Sequence, residues 1–418
     1  MEFSIRQINS LTLSEKREEF ETVVKSMFGF YSSNLSMELF IKCTTSIMRQ
    51  NTNKWQLFYL YDSRQDEVVS SFMITGRDSL IPETLHLLVG YVHTTPNYRK
   101  KGYVKDLISI CMSLYESFFA TGGFDANGLD EDFKKDTVEY LSKLFTSYKN
   151  SYWSLYSAIS TYYERFGFTP VPTMNWLSCE FDKSVDGDMI AFQNQELSIE
   201  EYFNTSNIKI INEQELEYAS KLMTDDNNQS WALKSLSRDD HRKLFGISSH
   251  SISLADFIAH DRFLSREHND KRNTFNIGIE ITHQEINKRT FLIASRFLDN
   301  KSLVIHRIFS TLLYDNKEES IILEEDLKKL VLFCKINLLD WSLNVFEKES
   351  DSLKIRLVTE DVWSPEKSTE DYIVNYLKSQ WEYDDSNSHF LPMIKEFDSN
   401  KVDASQIVWL NKGFAFFG

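Results

Sequence analysis

The sequence is short of cysteine, proline and glycine, with 4, 6 and 13 of them in 418 residues. Cys43, Cys111, Cys179 and Cys334 lie far apart, and no Cys-x-x-Cys occurs. That spacing excludes a disulfide-stapled scaffold and a cysteine-rich metal site; reduced thiols in a cytoplasmic protein are expected instead. So little proline and glycine excludes a collagen-like or linker-dominated chain. No uncharged run approaches ~20 apolar residues, so no membrane span is expected. The opening Met1-Glu-Phe-Ser-Ile-Arg6 lacks a basic and apolar leader. Positive charge is scarce too: 46 Lys and Arg against 62 Asp and Glu give a net charge of −16. Residues 1–200 carry 19 basic and 26 acidic side chains, net −7, which leaves −9 for the remainder. Neither half is a basic module, so nucleic acid is not an expected partner. An acidic surface favours cationic small substrates, or serves solubility alone.

What is present is ordinary globular material, 42 % hydrophobic and 26 % charged, long enough for two or three domains. One stretch, His86 to Leu114, organises it. Leu87 to Val92 is a near-continuous apolar run suited to a central strand buried on both faces. Pro96 and Asn97 break it. Arg99, Lys100 and Lys101 then precede Gly102, where Leu107, Ile108, Cys111, Met112 and Leu114 begin to recur at helical spacing. A basic turn feeding a helix N-terminus is a ready anion site, because the first N–H groups are unpaired and the macrodipole is positive there. Glycine permits close backbone approach. The stretch reads as a pyrophosphate cradle.

Around it the expected order is strand (Phe3 to Ile8), helix capped by Ser14, helix (Ser36 to Met48), two strands (Trp55 to Tyr61 and Glu67 to Thr75), then the organising strand and helix. Asp130 to Lys149 reads as an added amphipathic helix, either facing the substrate or decorating the surface. Tyr152 to Tyr156 is a strand, Thr161 to Phe168 a short helix ended by Gly167, and Met174 to Phe181 a closing strand.

Arg99-Lys100-Lys101-Gly102-Tyr103-Val104, preceded by Pro96-Asn97-Tyr98, resembles the Gln/Arg-x-x-Gly-x-Gly/Ala signature of the GCN5-related N-acetyltransferases. Val104 departs from it, standing where the family prefers Gly or Ala, and is expected to crowd the loop slightly. A second family feature is Tyr163, four residues before Gly167-Phe168. The resemblance covers about residues 1–182 and implies a mixed-sheet α/β fold of that family, with acetyl-coenzyme A as co-substrate. It implies that Gly90, Tyr91, Val92 and His93 pair with the pantetheine arm. Arg99, Lys100, Lys101, Gly102, Tyr103 and Val104 would hold the pyrophosphate, and Tyr163 would protonate the departing thiolate. No cysteine or serine sits in a nucleophile motif, so direct attack by the amine is expected. The general base stays open between His86, His93 and Glu83; the two histidines, seven apart, point to opposite faces of an ideal strand. No histidine spacing supports a metal site, and no metal is expected.

Residues 183–206 read as an acidic, irregular linker. The remainder, 207–418, again runs strand, helices, three strands, helix, strand, helix, strand. Its helical pieces include Arg238 to Phe245 and Ser253 to Arg266, and Ile407 to Leu410 is its last strand. This predicts a second, divergent copy of the fold. Its turn, Ser310 to Asp326, has no glycine and is rich in acids, which repel a pyrophosphate, so this copy is expected not to bind coenzyme. Trp153-Ser-Leu-Tyr-Ser157, Tyr162-Tyr163 and Trp409-Leu-Asn-Lys-Gly413 resemble the fungal lysine N6-acetyltransferases of lysine catabolism. That narrower resemblance implies free L-lysine as the acceptor amine. The alternatives are a protein or polyamine acceptor, and a coenzyme-binding module without catalysis.

Overall fold

The computed structural model of the chain describes residues 3–30, 35–50, 54–79, 81–122, 129–171, 174–182, 186–194, 198–224, 243–246, six positions between 255 and 267, 275–297, 302–345, 352–384, 391–397 and 407–410. Two compact units emerge. One comprises Met1–Pro172, Arg242–Ser248 and Phe390–Val408; the other comprises Thr173–His241, Ser249–His389 and Trp409–Gly418.

The first half contributes β1 (Phe3–Asn9), α1 (Arg17–Met27), α2 (Met37–Gln50), β2 (Lys54–Asp62), β3 (Glu67–Asp78), β4 (Thr84–Thr94), α3 (Tyr103–Thr121), α4 (Glu131–Phe145), β5 (Asn150–Ser157), β6 (Thr169–Pro170) and β7 (Trp176–Asp182). The expected order holds, with local corrections. Ser14 does not cap α1. The chain is turned earlier by Asn9, whose carboxamide oxygen accepts the N–H groups of Leu11 and Thr12 at 3.0 and 3.1 Å, and the helix starts at Arg17. The added helix α4 is neither a substrate cover nor a decoration. Phe133, Tyr140, Leu141 and Phe145 are buried in the same core as α3, and Gln7 donates to the Phe133 carbonyl at 3.2 Å.

The second half supplies β8 (Ile208–Asn212), β9 (Lys243–Gly246), β10 (Asn276–His283), β11 (Lys288–Phe297), β12 (Ser302–Ser310), β13 (Ser352–Val358), β14 (Val362–Trp363), β15 (Glu382–Tyr383), β16 (Leu391–Glu396) and β17 (Ile407–Leu410). A helix covers 216–224, and long helices run Lys317–Val345 and Lys367–Lys378. Lys243–Gly246, expected as the end of a helix, is a strand; 238–242 lie outside the described residues, as does most of the expected helix 253–266. The stretch expected to be an irregular linker holds two short helices, Gly187–Gln193 and Ile199–Tyr202. The second is closed by a Ser198/Glu201 capping box.

The two sheets share one pattern. The first runs β1-β2-β3-β4-β5-β16-β6; the second runs β8-β10-β11-β12-β13-β7-β15. Each has three antiparallel ladders, one parallel ladder (β4 with β5, β12 with β13), then two antiparallel ladders. The duplication is therefore real at the level of topology, and the mixed-sheet α/β fold class is as expected.

One strand crosses in each direction. The sixth place of the first sheet is filled by β16, from near the end of the chain, with Met393 and Ile394 wholly buried. The sixth place of the second sheet is filled by β7, from the first half, paired with β13 from Trp176↔Val358 to Asp182↔Ser352. A boundary at residue 182 thus cuts across both units.

Candidate active site

The site is built on β4. One edge pairs with β3 along its length, the other with β5. On the β5 side the parallel ladder ends at Val89↔Leu155, while β4 continues to Thr94. On the β3 side Met73↔Gly90 is followed by Ser71↔His93, so Tyr91 and Val92 together face Phe72. That is a β-bulge, and Tyr91 carries its strain at φ +51. Val92 packs with the α3 core and Tyr91 with the α1–α2 core. The bulge therefore turns β4 where it parts from β5, leaving a strand edge suited to an extended arm. Gly90 adds room, since a Cβ built there meets nothing within 4 Å.

Beyond Thr94 the chain turns sharply into α3. Pro96–Tyr98 is a single 3₁₀ turn, Lys100 adopts φ +65 and Gly102 φ +87, and α3 begins at Tyr103. Gly102 stands at the N-cap with no side-chain cap. The first N–H to find a carbonyl is that of Asp106, which donates to Gly102 at 3.1 Å. None of the N–H groups from Lys100 to Lys105 has an acceptor among the described residues. Six consecutive N–H groups without acceptors at a positive helix end are an arrangement that favours a negative charge. Tyr98 anchors the turn, donating to Asp62 at 3.1 Å; burial first, then that carboxylate, push its phenol up to about 12. Arg99 donates through Nε to the Thr94 carbonyl at 3.1 Å, and the Lys101 ammonium lies 5.3 Å from the Tyr98 ring centre. Val104, expected to crowd the loop, is half-buried against the α3 core instead.

Tyr163 lies on the 3₁₀ helix Ser160–Phe166 that follows β5, ended by Gly167 at φ +88. It is buried in the cluster that holds Val89, Leu155 and, at its margin, Val92 and Val104. Its hydroxyl has no hydrogen-bond partner among the described residues, and burial pushes its pKa up, so the phenol stays protonated at neutral pH. Tyr162 is partly buried at the margin of the same cluster, with the Arg165 guanidinium 4.0 Å from its ring centre.

The candidate bases separate. His86 is 0 % exposed, stacked on Tyr152 at 4.7 Å and hydrogen-bonded to Ser154. Burial, with help from Arg77, holds its imidazole well below the usual histidine range. With Nε2 engaged by Ser154 and its ring stacked on Tyr152, His86 takes part in the packing of the sheet interior. Glu83 is exposed and paired with Lys149 at 2.7 Å, at the opposite end of β4. His93 sits at the bulge, with its ring 6.1 Å from that of Phe30. The bulge breaks the strict alternation on which its orientation was judged. Sequence reasoning also passed over Ser71, which only the β3–β4 register places opposite His93.

The second sheet repeats the bulge without the site. Ile293↔Arg307 is followed by Ala294↔Ile305, leaving His306 extra on β12. Where β4 runs on past its ladder with β5, the corresponding part of β12 pairs with β14, through Ile308↔Val362 and Phe309↔Trp363. The helix after it is capped: Asn316 accepts from the Glu318 and Glu319 N–H groups, and the Glu319 carboxylate accepts from Leu313. At the positions corresponding to the end of β4 and the start of α3, the second sheet thus has strand pairing and side-chain caps.

No protein-family model and no curated protein matches the chain. Among solved structures it is similar to a tandem GNAT protein from the clavulanic acid biosynthesis pathway, at 7 % identity over 96 % of this chain and 100 % of the other, with TM-score 0.43. It is similar to Saccharomyces cerevisiae N-myristoyltransferase with bound myristoyl-CoA, at 8 % identity over 94 % and 77 %, with TM-score 0.44. It is also similar to a GCN5-related N-acetyltransferase from Kribbella flavida, at 10 % identity over 94 % and 72 %, with TM-score 0.41.

Proposed function

We propose that this chain is an acyl-coenzyme A-dependent N-acyltransferase, moving acetyl from acetyl-coenzyme A to a primary amine in a single direct transfer. One observation carries the reading. The edge where β4 leaves β5 runs, through one short turn, into six N–H groups without acceptors at the start of α3. An extended arm ending in a pyrophosphate is the ligand chemistry that uses both.

The residues then take these roles. Gly90 to His93 pair with the arm, and a backbone N–H of this stretch would stabilise charge on the thioester oxygen. Arg99 to Val104 hold the pyrophosphate through backbone N–H groups, with Lys100 and Lys101 adding charge. Tyr163, kept protonated by burial, donates to the leaving thiolate. The acceptor we propose is the side-chain amine of free L-lysine, on the strength of the Trp153-to-Ser157 and Trp409-to-Gly413 resemblance.

The test is thiol release from acetyl-coenzyme A with L-lysine, spermidine or a lysine-containing peptide. Release with lysine is expected. Release with only spermidine or the peptide moves the acceptor, and no release with any of the three retires the enzyme reading.

A further inference from the structure

Two buried polar side chains are register partners at the bulge, each with a polar atom that has no hydrogen-bond partner among the described residues. His93 is 5 % exposed and Ser71 0 % exposed. The Nε2 of His93 and the Oγ of Ser71 are buried and lack hydrogen-bond partners among the described residues. The two residues are register partners on adjacent strands, so they share a face. That face is settled by their neighbours: Phe72 points into the α3 core and Met73 into the α1–α2 core, so Ser71 lies on the α1–α2 side. The pantetheine edge and this face meet at the bulge. Leaving a buried polar atom unsatisfied costs about 1–3 kcal/mol, and two together at a strained turn require a reason.

We propose that His93 is the general base of the transfer, its Nε2 taking the proton of the acceptor ammonium directly or through one water that Ser71 also holds. The role presupposes the acyltransferase reading. Burial, reinforced by Arg99, holds His93 below the usual histidine range, so it is neutral at pH 7 and can accept a proton. Among the described residues, Arg99 is the one charged group that acts on it. Protons balance as follows. The ammonium gives one proton to His93, which passes it to solvent. The freed amine attacks the thioester carbon, forming C–N. The C–S bond then breaks, and the second amine proton ends on the thiolate, relayed by Tyr163.

The test is the pH dependence of kcat/KM for the active amine of the panel, in the full chain and in His93→Gln, with acetyl-coenzyme A affinity measured calorimetrically for both. A base that accepts from bound ammonium gives a plateau, lost only as pH falls through the lowered pKa of His93. Without it the enzyme must wait for free amine. For an amine of pKa about 10.4, roughly 1 in 10³ molecules is neutral at pH 7, so His93→Gln is expected to fall roughly 10³-fold there. Its rate should then climb tenfold per pH unit from 6 to 9. A variant that keeps the plateau overturns the assignment. If the variant loses coenzyme affinity through misfolding, the wild-type profile decides: a plateau supports a base, and a unit slope from pH 6 to 9 overturns it. No turnover by the wild type with any amine overturns the acyltransferase reading as well.

Discussion

Gly102 is the position where structure and coenzyme binding separate most cleanly. Its φ of +87 is left-handed, and a Cβ built on it meets nothing within 4 Å. Any other residue therefore adds backbone strain of about 1–2 kcal/mol but no steric term. Gly102→Ala and Gly102→Glu should lose that same stability, a shift of a few degrees in Tm by roughly the scaling for large domains. They should differ in binding. A carboxylate held ~4 Å from the pyrophosphate costs ~4 kcal/mol at an effective dielectric of 20 and ~1 kcal/mol in bulk water. Gly102 is exposed, so Gly102→Glu falls between these limits, a loss of about 5- to 10³-fold in acetyl-coenzyme A affinity beyond that of Gly102→Ala. The extra loss should shrink as salt rises, since exposed charges are screened. Titration calorimetry at low and high salt reads both effects. Equal affinities for the two variants, with both still folded, would refute the cradle.

Two further outcomes follow. Ending the chain at residue 182 removes β16, strips the sixth strand from the first sheet and leaves β7 without β13. Such a fragment is expected to lack a cooperative thermal transition and to aggregate on size exclusion; a folded, coenzyme-binding monomer would show that the exchange is dispensable. Tyr163→Phe removes a phenol with no other hydrogen-bond partner among the described residues, so stability should stay within about 1 kcal/mol. Turnover should drop by roughly 10²–10⁴-fold with donor affinity intact, and unchanged turnover would end its role as proton donor.

Much of the first unit was legible in the sequence because its signals are local. A buried strand, a proline break, a basic turn, a glycine and a helical stripe follow one another within thirty residues, and the structure forms each where its pattern stands. What was not legible depends on partners far away in the chain. Leu391–Glu396 is short and contains Pro392, which has no N–H for a ladder, so it reads as loop. Only the gap between β5 and β6 makes it a central strand. Trp176–Asp182 reads correctly as a strand, but nothing in it names its sheet. The amphipathic stripe of α4 has the same pattern whether it meets a core or a substrate. The bulge at Tyr91 appears only once β3 is laid beside β4, and with it went the reason to prefer His93 over His86.

The most direct measurement is amide hydrogen exchange with and without acetyl-coenzyme A. Bound coenzyme should slow exchange at Gly90 to Thr94 and at Lys100 to Lys105, and leave 302–319 unchanged. Protection at 302–319, or none along β4 and the start of α3, would contradict a single coenzyme site built on this strand.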